Sequence, residues 1–140
     1  MIFRQLTKTI WQSDAADATK ICVESAKWQD LGIRGVICPA YNVRLPYAPG
    51  LASLILPIWD NTQVDDAWFD QAVEFHRRFF PTLVHCQGGL NRSVTFAAAL
   101  AWTEGQSLET SWGIMKGEPV FQEMRDSLKR WVELRKQFPK

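Results

Sequence analysis

The chain has 140 residues, 46% hydrophobic and 22% charged, a composition that excludes disordered, collagen-like and disulfide-rich classes and fits one globular domain spanning residues 1–140. With 16 basic and 15 acidic residues the net charge is +1, so the overall field offers nothing to a nucleic acid or an anionic membrane, and any bound anion must be gripped locally. Cys22, Cys38 and Cys86 are an odd number at irregular spacing, which argues against a disulfide framework or a CxxC-type zinc site.

The N-terminal MIFRQLTKTIWQSD lacks the basic-then-apolar layout of a secretory signal, and no apolar run approaches the roughly 20 residues that span a bilayer. A cytoplasmic protein with no membrane partner is therefore expected. A short strand at Ile10 to Gln12 leads to Ser13 and Asp14, either of which can cap a helix whose face reads Ala18, Ile21, Ser25, Trp28 and Leu31. Gly32 is expected to end that helix. GIRGVICPA and LASLILPI read as buried strands on either side of a loop holding Pro46, Pro49 and Gly50.

A polar loop then runs into a helix with Val64, Trp68, Ala72, Phe75 and Phe79 at helical spacing, stopped by Pro81. TLVHC is a short apolar strand, QGGLN a loop, and RSVTFAAALAWTEG a helix apolar on nearly every side, which belongs in a core. Ser107 can cap a short helix reaching Met115, and a last helix presents Phe121, Met124, Leu128, Trp131, Leu134 and Phe138. Strands alternating with helices predict an α/β domain, a central and largely parallel sheet of four to five strands flanked by helices. Most of the seven tryptophans, Trp59 among them, are expected to pack rather than to act.

The chemistry concentrates in LVHCQGGLNRSV, where a strand, a glycine-containing loop and a helix start follow one another. Backbone N–H groups curled at a helix N-terminus form a cradle for phosphate, and Gly88 and Gly89 permit the backbone angles and close approach that it needs. Cys86 opens this loop and Arg92 closes it with five residues between, so a thiolate can sit at the floor while a guanidinium grips two oxygens of the anion. The helix N-terminus gives the Cys86 thiol a physical reason to ionise. Ser93 can donate its hydroxyl to the sulfur, and His85 is placed to order the loop by hydrogen bonding.

HCQGGLNRS, residues 85–93, resembles the HC-x5-R-S/T signature of the protein tyrosine phosphatase superfamily. The rest of the chain is similar to its small dual-specificity branch, from IWQSDAADA through LGIRGVIC and IWDNTQVDDAWFDQAVEF to the helices beyond. The resemblance implies a phosphate-binding loop of Gln87, Gly88, Gly89, Leu90, Asn91 and Arg92, with Cys86 as nucleophile and no metal or other cofactor. It implies a general acid at Asp60, which stands 26 positions before Cys86, closer than usual, so that Asp65 and Asp66 are rivals. Those two fall at a helix start, where carboxylates commonly cap free N–H groups, and Asp60 is preferred.

In some relatives a cysteine in the region of Cys38 pairs with the nucleophile, which implies a redox partner; the plainer expectation is a buried cysteine acting as a small hydrophobe. The loop carries no lysine or second arginine, which disfavours inositol phosphates, and a phosphorylated protein or peptide is the expected substrate. Two alternatives are a phosphate-binding adaptor without turnover and an RNA 5′-triphosphatase. The second rests on Leu90-Asn91-Arg92 alone, since the histidine and the threonine-glycine of those relatives are replaced by Gly88 and by Ser93-Val94.

Overall fold

In the computed structural model, which describes residues 2–138, strands and helices alternate along the chain. They run β1 (Phe3–Thr7), β2 (Ile10–Ser13), α1 (Ala15–Cys22), α2 (Lys27–Asp30), β3 (Gly35–Cys38), β4 (Ala52–Ile55), α3 (Asp66–Phe79), β5 (Thr82–His85), α4 (Arg92–Thr103), α5 (Leu108–Ile114) and α6 (Gln122–Gln137). The five strands form one sheet in the order β1-β2-β5-β3-β4. Only β1 is antiparallel to its neighbour; β2, β3 and β4 join β5 in a parallel array. This mixed, mostly parallel α/β sheet is the expected architecture.

Period-two alternation assigns the two faces of the sheet. Ile37 and Val84 point into the larger core, shared with α3, α4, α5 and α6, while Val36 and Leu83 point into a second core under α1 and α2. Helix α4 is buried from Arg92 to Ala101, as a helix apolar on nearly every side requires. Because β5 lies at the centre with β2 and β3 on either side, the residue after its carboxyl end, Cys86, emerges where open α/β sheets place their ligands.

Two expectations are corrected and one strand was not foreseen. The segment before Ile10 forms strand β1, whose exposed edge and mixed pattern give no clear alternation. The single helix expected from Ala18 to Leu31 is two, α1 and α2. The Ser25 hydroxyl donates to Lys20 O at 2.7 Å and accepts from Lys27 N at 3.2 Å, so a side chain takes over backbone partners at the break. Helix α6 starts at Gln122 with Phe121 as its N-cap residue, and Phe138 lies beyond its end, 70% exposed.

The caps follow the sequence more closely. Asp14 rather than Ser13 caps α1, its Oδ1 accepting from Asp17 N at 2.8 Å, and Ser107 caps α5 through Thr110 N. Gly32 follows α2 with φ +76°, a conformation that glycine adopts without strain.

Candidate active site

Cys86 follows strand β5 and is 3% exposed, at the floor of the turn that leads into α4. The loop is anchored from outside: Gln87 O accepts from Ala15 N at 3.0 Å. Gly89 has φ +73°, and a Cβ there would meet the backbone of Asp14 at 3.1 Å, so this position requires glycine twice over. Gly88 differs: its φ is not positive and a Cβ there would meet nothing within 4 Å, so neither strain nor crowding explains it. Among the described residues, the N–H groups of Gln87 to Asn91 donate to no protein acceptor, as expected of a cradle for an anion.

Ser93, fully buried in the first turn of α4, holds its Oγ 3.1 Å from Cys86 Sγ. Arg92 is 3% exposed and pinned through Nη1, which donates to Asn42 Oδ1 at 2.9 Å and to Ile58 O at 3.0 Å. Its Nε is buried without a hydrogen bond and lies 3.6 Å from Asp60 Oδ1. A guanidinium fixed at one end with an unspent donor at the other is arranged to grip an oxyanion.

Asp60 is brought to the site despite its short sequence distance. It lines a small pocket of about 190 Å³ together with Cys86, Gly88, Leu90, Asn91, Val120 and Phe121. The Asn91 side chain fixes it there: Oδ1 of Asn91 accepts from Phe121 N at 3.1 Å, which turns Nδ2 to donate to Asp60 Oδ1 at 2.5 Å. Asn91 therefore spends its side chain on the carboxylate and on the segment before α6. Asp65 and Asp66 stand at the start of α3 instead, with Asp66 paired to Arg130 at 3.4 Å.

His85 is fully buried and lies between the loop backbone and Tyr47, a partner the sequence did not suggest. Its Nδ1 faces Cys86 O at 3.3 Å, and because a carbonyl only accepts, Nδ1 carries the proton and Nε2 accepts from the Tyr47 hydroxyl. Burial pulls His85 down from 6.5 to about 4, so the ring is neutral around pH 7. Cys38 shares a small buried apolar cluster with Cys86, Ala40 and Val43. Burial pushes its thiol up to about 11.

Exposed apolar side chains stand on the pocket lining and on the segment next to it. Trp59, expected to pack, is 57% exposed and stacks on Tyr41 with ring centroids 3.5 Å apart. Tyr41 N and Arg92 Nη1 both donate to Ile58 O, which ties this aromatic pair to the arginine. Leu90 and Val120, each 55% exposed, face the pocket from the other loops. A larger open groove between the β1–β2 turn and Glu104–Thr110 lies elsewhere and gathers threonine hydroxyls around Glu104.

No protein-family model and no curated protein sequence matches the chain. Solved structures do match. Human DUSP28 is 20% identical and superposes with a TM-score of 0.74 over 96% of this chain and 95% of its own. Tk-PTP in its active form is 24% identical with a TM-score of 0.71 over 94% and 96%. The human tyrosine phosphatase-like serine/threonine/tyrosine-interacting protein is 19% identical with a TM-score of 0.76 over 94% and 96%.

This is the dual-specificity phosphatase fold. Within that fold, Gln12, Asn42 and Tyr47 are contacts that sequence reasoning missed. Each is a polar residue in a strand or loop with no motif around it, and only the tertiary structure brings it to the Cys86–Arg92 loop. The one available signal was Gln12 itself, a polar residue inside an otherwise apolar strand reading.

Proposed function

We propose that the chain is a cysteine-dependent phosphatase that hydrolyses phosphomonoesters, with phosphotyrosine in proteins or peptides as its substrate class. The observation that carries this reading is the buried Arg92 Nε, which makes no hydrogen bond and lies 3.6 Å from Asp60 Oδ1, at the end of a loop whose N–H groups donate to no protein acceptor and which opens at Cys86. The solved structures of the same fold support it.

Cys86 attacks phosphorus, the phosphoryl group moves to Sγ, and Asp60 gives its proton to the leaving oxygen. The loop N–H groups and Arg92 hold the equatorial oxygens through both steps. Water then attacks the cysteinyl-phosphate, giving its proton to Asp60. Exposed Leu90 and Val120 on the pocket, with the Tyr41–Trp59 stack next to Asp60 in the chain, support an aryl ester over an alkyl one, since a phenyl ring gains more from burial there than a serine methylene.

The two alternatives find less support. The adaptor reading rests on the spacing to Asp60, yet that carboxylate lines the pocket. The RNA reading rests on Asn91, whose side chain is engaged by Asp60 and Phe121 N.

The test is the pH–rate profile of aryl-phosphate hydrolysis. Cys86→Ser is expected to abolish turnover, and Asp60→Asn to lower it by about 10²-fold with loss of the basic limb. Activity retained in Cys86→Ser would overturn the proposal, and an inert wild type that binds phosphopeptide would replace it with the adaptor.

A further inference from the structure

Resting on the phosphatase reading, we propose that Gln12 is a positioning residue for the second half of the reaction, aiming the Ser93 hydroxyl at the Cys86 sulfur. Gln12 lies on β2 beside Val84 of β5, fully buried beneath the loop. Its Nε2 is 2.9 Å from Gly89 O and 2.8 Å from Ser93 Oγ. A carboxamide nitrogen has two protons and no acceptor capacity, so one goes to the carbonyl and the other to the hydroxyl. Ser93 Oγ thus accepts from Gln12, and once the sulfur is without its proton, as in the cysteinyl-phosphate and the departing thiolate, the single Ser93 proton is left for Cys86 Sγ, 3.1 Å away.

Gln12 also occupies a competing partner. Gly89 O and Ser93 Oγ both lie within hydrogen-bond reach of this one nitrogen, so the loop carbonyl is a neighbouring acceptor for the Ser93 hydroxyl. That carbonyl is the one Gln12 takes. Meanwhile Gln12 Oε1 is buried with no hydrogen-bond partner, a cost to stability that leucine at this position would not carry. A buried amide that is half unsatisfied, yet whose nitrogen makes two contacts around the nucleophile, is better explained by the reaction than by packing.

The step it serves is breakdown of the cysteinyl-phosphate. Water attacks phosphorus, the P–S bond breaks, its electron pair goes to Sγ as thiolate, the water proton goes to Asp60, and inorganic phosphate leaves. A hydroxyl held toward Sγ stabilises the departing thiolate. Without Gln12 nothing orients the Ser93 hydroxyl, which is then free to turn to other acceptors, and the sulfur loses its donor.

The experiment is rapid acid quench with p-nitrophenyl phosphate carrying labelled phosphate, on wild type, Gln12→Leu, Gln12→Met, Ser93→Ala and the Gln12→Leu/Ser93→Ala double variant. Both Gln12 variants should show a burst of nitrophenol, accumulated phosphoenzyme, and breakdown slowed roughly tenfold, the loss of one hydrogen bond to a charged group. Ser93→Ala should behave alike, and the double variant no worse than Ser93→Ala. Using both leucine and methionine separates a packing fault peculiar to one shape from loss of the donor.

Wild-type breakdown in the Gln12 variants, or further slowing in the Ser93→Ala background, overturns the role of Gln12 while leaving the phosphatase reading intact. A wild type that neither takes phosphate on Cys86 nor turns over overturns both.

Discussion

His85 is the residue at which pH should be felt most directly by the fold. Burial lowers it from 6.5 to about 4, so between those values the unfolded chain binds a proton that the folded chain refuses. Stability therefore falls as pH drops through this window, by roughly 3 kcal/mol in total, and is untouched by this group above it. Urea unfolding at pH 7 and pH 4.5 should show a larger loss for wild type than for His85→Gln, which cannot titrate; equal losses would reject the assignment. Cys38 invites the opposite test. With its thiol raised to about 11 it is un-ionised at pH 7 and a poor attacker of oxidised Cys86. Peroxide treatment followed by non-reducing peptide mapping is expected to show no Cys38–Cys86 peptide, and finding one would establish the redox pair.

At the scale of elements, the closest fit is β3 under α3. A Cβ on Gly35 would stand 2.9 Å from the Phe75 ring, Phe79 Cβ and Phe79 O at once, and a backbone oxygen has no rotamer by which to retreat. Gly35→Ala is expected to cost about 1–3 kcal/mol, seen as a lowered denaturant midpoint. An unchanged midpoint would mean that α3 can slide. The strands β3 and β5 and the buried helix α4 were legible because an apolar run admits few other placements. The α1–α2 break was not, since it depends on Ser25 bonding to Lys20 O, and a serine on a helical face reads the same whether or not it does so.

Over the whole molecule, two of the seven exposed large hydrophobic residues among those described, Leu90 and Val120, line the Cys86 pocket, and two more, the stacked Tyr41 and Trp59, adjoin it through Asp60, the residue after Trp59. Their combined effect is a property of the assembled surface, drawn from four separate segments. Trp59→Ala with Leu90→Ser should lower kcat/KM for a phosphotyrosine peptide by roughly tenfold or more while changing that for the matched phosphoserine peptide little. An equal fall for both would assign the rim a purely structural part. The sequence by itself determined the α/β class, the parallel core of the sheet and the Cys86-to-Arg92 loop, because hydrophobic period and the contiguous strand-loop-helix motif are local properties. Only the tertiary structure decided that Asp60 rather than Asp65 or Asp66 meets the pocket, that Asn91 holds it, and that Gln12, Asn42 and Tyr47 reach Ser93, Arg92 and His85. Those contacts join residues 31 to 81 positions apart, and the order of strands in the sheet, which no local pattern encodes, is what brings them together.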